Sequence, residues 1–252
     1  MKSSKIMEYL EELYPSYLKA SYDNVGLMVG RKEKDVKTIY LCLDLTKEEM
    51  DEALKCHADM IITHHPLLFH PLYNINLDND PGLIIESLIK NDITLYSMHT
   101  NFDTVRMNDY LGSMLGLSNM SLLSEKENCG VVGDIKETKL LDFIKLVKKV
   151  YKINELSYVG SDNITIKKVG LCAGSGSSMI TDAFSKSVDI YLTGDLSYSR
   201  AIEAKRMGLN ILNIPHYTEH LYTGTVKEDL LKLDKGLNVI ESVIDSDPFK
   251  IY

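Results

Sequence analysis

Apolar positions recur along this chain in two rhythms. Over residues 4–15 they fall at Ile6, Leu10 and Leu13, a helical spacing, and Pro15 stands at the end of that helix. Residues 38–45 (TIYLCLDL) form an apolar run of strand length. Thr46 follows as a helix N-cap, with Glu49 three positions on completing a capping box. That helix should extend to about residue 57. A second buried strand covers 59–64 (DMIITH) and is stopped by Pro66. A helix over 83–90 and a third strand over 93–99 (ITLYSMH) come next. Strands alternating with helices predict parallel βαβ units.

The same order then repeats. A strand over 166–173 (IKKVGLCA) leads through Gly174–Ser178 into a helix ending near 186. A strand over 189–193, a helix over 198–207 and a strand over 209–214 follow, and 237–244 forms a final strand. Leu41 and Leu171, Cys42 and Cys172, Ala53 and Ala183, Asp59 and Asp189, and Thr63 and Thr193 are all separated by the same 130 positions. A gapless register of this kind marks two copies of one unit. The prediction is an α/β protein of two related units with an internal repeat, its mixed sheets flanked by helices. Its two domains would span 1–125 and 126–252, the C-terminal segment being able to pack back on the first. Between the copies, 104–127 read as polar and partly helical. A glycine-rich stretch (CGVVGDI) then precedes a basic helix over 138–152, with Leu141, Ile144, Val147 and Val150 on one face and its lysines in solvent.

Composition narrows the function classes. The chain has 252 residues, 44% of them hydrophobic, enough to bury a core without disulfide or metal support. A net charge of −8 argues against broad nucleic-acid affinity, which wants a basic surface. No apolar run approaches a membrane span, and the acids interrupting the first fifteen residues do not fit a secretory signal. Cys42, Cys56, Cys129 and Cys172 form no CxxC pair, so they read as reduced thiols in a cytoplasmic protein rather than zinc ligands.

The histidines point to chemistry. His64 and His65 end one buried strand, and His99 ends another, followed by Asn101 and Asp103. In the second copy the strand over 209–214 runs into Pro215, His216, Tyr217, Thr218 and Glu219. Ligands of open α/β sheets bind beyond the carboxyl ends of strands. His64, His65, Asp103, His216 and Glu219 supply three imidazoles and two carboxylates, a mixture suited to zinc, iron or manganese. Consecutive histidines on extended backbone point to opposite sides. They therefore suit two neighbouring ions better than one, unless the backbone turns at Pro66. Two such ions activate water and steady developing negative charge.

Other motifs carry less. Gly174–Ser178 lies between strand and helix, as a phosphate cradle or, more simply, a tight turn. Asp23, Asn24 and Gly26 read as a turn beside the cleft. His57 and His70 read as surface residues, and His220 is a competing ligand beside Glu219. Asp195 is open to two readings, a carboxylate bonded to a ligand histidine or a helix N-cap.

The segments ITHHPLLF (62–69), HTNFD (99–103) and PHYTE (215–219), in that order, resemble the GTP cyclohydrolase 1 type 2 family of NIF-three-like proteins. YDNVGLMVG (22–30), LDLT (43–46), GVVGDI (130–135), VGLCAGSGSS (169–178), DIYLTGD (189–195) and DPF (247–249) resemble it too. The resemblance implies a NIF-three-like fold, two divalent metal ions per chain and a homohexameric ring. It assigns His64, His65, Asp103, His216 and Glu219 as metal ligands, with His99 and Glu219 moving protons. Pro215 in place of a glycine, Ser197 and Ser199 in place of a histidine, and Tyr22 in place of a tryptophan depart from the family pattern. The implied function is hydrolysis of a nucleotide-type substrate by a metal-bound hydroxide, the imidazole ring of GTP being the target. Phosphoester cleavage stands second. The alternative from another class is a metal-binding regulatory or interaction protein forming the hexameric ring with little turnover. Self, a small molecule or a nucleotide are the expected partners. Nucleic acid has no support from charge, and no membrane is expected.

Overall fold

The computed structural model describes residues 1–245 and 247–250. In chain order its elements begin with α1 (Ser3–Leu13), β1 (Gly26–Val29), β2 (Thr38–Cys42), α2 (Lys47–Lys55) and β3 (Met60–Thr63). Next come α3 (Gly82–Lys90), β4 (Thr94–Ser97) and the short α4 (Thr100–Phe102). A π-helical turn at Asp103–Met107 precedes α5 (Asn108–Met114), β5 (Ser118–Ser124), β6 (Cys129–Lys139), α6 (Leu140–Tyr151) and β7 (Ser157–Val159). The chain continues through β8 (Thr165–Leu171), α7 (Ile180–Ser185), β9 (Ile190–Thr193), α8 (Tyr198–Met207), β10 (Ile211–Asn213), α9 (Tyr222–Leu233) and β11 (Asn238–Glu241).

Two units result: Met1–Phe102 together with the segment from His220 onward, and Asp103–Glu219. The boundary expected at 125/126 falls in the turn joining β5 to β6. These strands pair with each other, and the second sheet accordingly begins at Ser118. No helix among the described residues is long and apolar enough to cross a membrane.

The first unit holds a five-stranded sheet in the order β1-β4-β3-β2-β11. β11, β2, β3 and β4 run parallel and β1 pairs antiparallel with β4. The central strands β2, β3 and β4 are buried, β2 and β3 being largely apolar on both faces, as helix-covered parallel sheets require. Leu41, Ile61, Ile62 and Leu95 are wholly buried, each stabilising by roughly 1.5–3 kcal/mol. Thr46 caps α2 by accepting from Glu49 N at 3.3 Å. The other half of the expected capping box is replaced. The Glu49 carboxylate turns inward and accepts from Tyr40 Oη at 2.6 Å and Ser242 Oγ at 2.8 Å, joining α2 to β2 and the segment after β11.

The second unit holds a six-stranded sheet in the order β5-β6-β8-β9-β10-β7. Here β8, β9 and β10 are parallel, and β6 and β7 flank them antiparallel. Both sheets are thus mixed; the trio β2, β3 and β4 of the first, extended in parallel by β11, matches the trio β8, β9 and β10 of the second. Helix α6 packs through Leu140, Phe143, Val147 and Tyr151, while Leu141 is 69% exposed. The buried stripe thus keeps Val147 of the one read from the sequence and replaces Leu141, Ile144 and Val150 by their neighbours Leu140, Phe143 and Tyr151. The aromatic rings of Phe143 and Tyr151 fill the core, and the Tyr151 hydroxyl donates to Leu111 O at 3.0 Å.

The repeat extends to individual hydrogen bonds. Asp59 Oδ2 accepts from Lys37 N and Thr38 N at 2.8 and 3.0 Å. Asp189 Oδ2 accepts from Lys167 N and Lys168 N at 2.8 Å each. His57 and Ser187, also 130 positions apart, share a left-handed backbone, at φ 53° and 55°. Equivalent bonds should carry equivalent stability. Asp59→Ala and Asp189→Ala are each expected to cost roughly 1–2 kcal/mol in denaturant unfolding. A cost confined to one of them would contradict the equivalence.

Candidate metal centre

In the first unit, the register of parallel strands assembles the chemistry. Cys42 lies level with Thr63, and Thr63 with Ser97. Two residues beyond each stand Asp44, His65 and His99. β3 stops at Thr63, so His64 and His65 occupy a bend rather than extended strand. The opposed orientation expected of consecutive histidines is thereby lost. The backbone turns ahead of Pro66, and the two ring centroids approach to 5.2 Å. The ring of His64 is wholly buried, 5.2 Å from the ring of His99 and packed against Phe102 and Tyr222. One ligand atom from each of His64, His65 and His99 can be chosen so that all three lie within 4.8 Å of one another.

Two of these rings are held by acids. His65 Nδ1 lies 2.8 Å from Asp44 Oδ1, and His99 Nδ1 lies 2.8 Å from Asp23 Oδ1. An ionised carboxylate can only accept, so Nδ1 carries the proton and Nε2 keeps its lone pair for a metal. Burial pushes the Asp23 carboxyl up, but hydrogen bonds from His99 and Thr100 outweigh it and hold the group well below the usual carboxylate range. Tyr222 Oη lies 2.9 and 2.8 Å from Cys42 O and Ile62 O, fastening α9 to the strand ends beneath the histidines.

The second unit gathers Asp103, His216 and Glu219 around the turn that follows β8. Asn108 Nδ2 donates to Asp103 O at 3.1 Å, and Ala173 N donates to Asn108 Oδ1 at 2.8 Å. His216 is held on both sides, by Asp195 Oδ2 at 2.7 Å from Nδ1 and by Glu219 Oε2 at 3.0 Å from Nε2. The hydrogen bond to Glu219, then that to Asp195, raise its pKa to about 9 against the loss of hydration on burial. Asp195, left open by the sequence, is the partner of His216. The cap of α8 is Ser197, which accepts from Arg200 N.

The glycine-rich segment is a tight turn. Gly176 N, a donor a phosphate would need, is used by Thr193 Oγ1 at 2.9 Å, and Gly174 O accepts from Gly194 N at 2.7 Å. Gly174 has φ +57°, and a Cβ there would sit 2.3 Å from Glu219 Oε1 and 3.2 Å from His216 Nε2. Only glycine leaves room for these two side chains. His57 and His70 are exposed.

The sequence reading missed the acids behind the histidines in the first unit. Asp44 was discoverable, since it stands two residues past its strand, as His65 and His99 do past theirs. Asp23 was not, because it precedes β1, a strand no periodicity announced. The donor set fits a transition metal: imidazoles with Nδ1 fixed, nearby carboxylates, and a glycine cradle that a side chain would fill.

The chain is similar to known proteins over nearly its full length. The model of the Duf34/NIF3 (NGG1p interacting factor 3) family matches residues 1–248. A Clostridium perfringens protein named GTP cyclohydrolase 1 type 2 homolog is 39% identical, the alignment covering 99% of each chain. A Helicobacter pylori protein named GTP cyclohydrolase 1 type 2 is 35% identical over 94% of this chain and 95% of its own. A Staphylococcus aureus crystal structure matches with TM-score 0.92 at 29% identity, over 100% of this chain and 99% of its own.

Two outcomes are expected. Gly174→Ala should displace Glu219 and lower zinc uptake at least tenfold in equilibrium dialysis, while the far-ultraviolet circular dichroism stays native. Unchanged uptake would show that the cradle does not hold the carboxylate. In metal-free protein, His216 should titrate near 9 by NMR. A raised pKa means that its ion pairs stabilise fully below the unfolded value of ~6.5 and are lost as pH rises through about 9. Asp195→Asn should bring the titration down; a wild-type midpoint near ~6.5 would contradict this.

Proposed function

The chain belongs to the Duf34/NIF3 family, and from that premise and its two groups of donors we propose a dinuclear metal-dependent hydrolase acting on a GTP-type nucleotide. One observation carries the reading: His64 and His65 offer ligand atoms within 4.8 Å of one another, with Asp44 holding the His65 ring through Nδ1 and His99, held in the same way by Asp23, beside them. Neutral imidazoles with carboxylates favour zinc, iron or manganese over magnesium and calcium. The proposed ligands are His64, His65, Asp103, His216 and Glu219. The chain passes from the first unit to the second at Phe102–Asp103 and returns at Glu219–His220, so both carboxylates sit at a crossing.

Bound metal would polarise the substrate and lower the pKa of water. The remaining work falls to side chains. His99, oriented by Asp23, takes and returns a proton through Nε2. Glu219, the partner of His216, is the second proton carrier. Opening the imidazole ring of GTP consumes one water at the carbon between its nitrogens, and a second water releases formate. Assembly as a homohexamer belongs to the same reading, since closed rotational symmetry is the common form of soluble oligomers. Light scattering should then give six chain masses.

Metal-loaded protein should release formate from GTP. His64→Ala combined with Glu219→Ala should abolish metal uptake and turnover together. His99→Ala should keep its metal and lose roughly 10²–10⁴ in kcat. Elemental analysis of the double variant and a formate assay check both. Retention of two ions by the double variant would refute the ligand set. Loaded protein inert towards GTP would refute the substrate, and phosphate release in place of formate would turn the reading to phosphoester cleavage.

A further inference from the structure

A cleft of about 810 Å³ opens in the first unit beside the histidines. That volume lies within the range of small-molecule sites. One wall is the loop before β1, carrying Tyr22 and Asn24; the other is the loop after β3, carrying Phe69 and Tyr73. Asn24 Nδ2 donates to Leu68 O at 2.6 Å and ties the two walls together. Asp23 lines the cleft and also holds His99, so the cleft and the histidine cluster share a residue. Phe69 bridges them as well, its ring 6.3 Å from that of Tyr22 and 6.1 Å from that of His99.

The lining says what would fit. It has His70 but no lysine or arginine, so no fixed positive charge there would neutralise a phosphate. Its one acid, Asp23, is buried and engaged with His99 and Thr100. What the cleft offers is aromatic faces (Tyr22, Phe69 and Tyr73), an aliphatic floor that includes Val29 and Ile85, and the amides of Asn24 and Asn74. Tyr22 is 69% exposed and Tyr73 fully so, which leaves two aromatic faces of the lining open to a ligand. We propose that this cleft seats the flat, uncharged heterocycle of the substrate, stacked on Tyr22 against Phe69, with the charged part of the molecule lying outside it. The inference rests on the nucleotide-hydrolase reading for its ligand class, and it adds the residues that select the base.

Guanosine, which has the ring and no phosphate, is the probe, with inorganic triphosphate as the control, titrated calorimetrically into metal-loaded protein. Wild type should bind guanosine, and Tyr22→Ala should weaken it roughly 5- to 100-fold, the range of one base–aromatic stack, with triphosphate binding unchanged. Tyr22→Trp should retain binding, and its indole, the first in a chain without tryptophan, should be quenched by guanosine. Unchanged guanosine affinity in Tyr22→Ala, or no guanosine binding by wild type at millimolar concentration, would overturn the proposal. So would a change in particle mass without a change in affinity, which would mark the cleft as a surface between copies. The two readings separate cleanly. Binding through Tyr22 without GTP turnover defeats the hydrolase and leaves the cleft; turnover with a KM indifferent to Tyr22→Ala defeats the cleft alone.

Discussion

Parallel pairing in register is the constraint on which everything else depends. Neighbouring strands lie about 4.8 Å apart, and when they run the same way their carboxyl ends emerge together. Cys42, Thr63 and Ser97 are level across β2, β3 and β4. Whatever the sequence places two residues later is therefore delivered side by side, and here it places Asp44, His65 and His99. A one-residue slip would turn these side chains to the opposite face. The buried apolar residues on both sides of the sheet resist that slip, so the core energetically enforces the geometry of the site.

The second unit uses the same frame with different residues. The position equivalent to His65 is Asp195, and the one equivalent to Asp44 is Gly174. In the first unit the acid follows the first strand of the trio and bonds a histidine after the second. In the second unit the acid follows the second strand and bonds His216 after the third. The acid–histidine pair has moved over by one strand. The vacated position is a glycine, and its missing side chain is the space that Glu219 and His216 occupy. A duplicated scaffold has thus diverged at its strand ends while keeping the Asp59 and Asp189 hydrogen bonds at the opposite ends of its strands.

Much of this was legible before any coordinates. Long apolar runs announced β2, β3, β4, β8 and β9, and a constant spacing of identical residues announced the repeat. The histidines stood out because their types and positions coincide at strand ends. What escaped was physically quieter. β5 (SNMSLLS) is mostly polar, and its pairing with β6 is visible only in three dimensions. β7 has three residues, too few for any period. Glu49 looked like a cap because spacing cannot show that Tyr40 and Ser242 wait for its carboxylate. Asp23 looked like part of a turn because His99, its partner, is distant in sequence.

The central proposal, that His64, His65, Asp103, His216 and Glu219 hold two divalent ions, is tested most directly by a crystal structure of the zinc-loaded protein with anomalous data at the zinc edge. Two peaks per chain are predicted, ligated by His64, His65, Asp103, His216 and Glu219. Strong data showing no peak at these residues, or ions bound by other side chains, would contradict it.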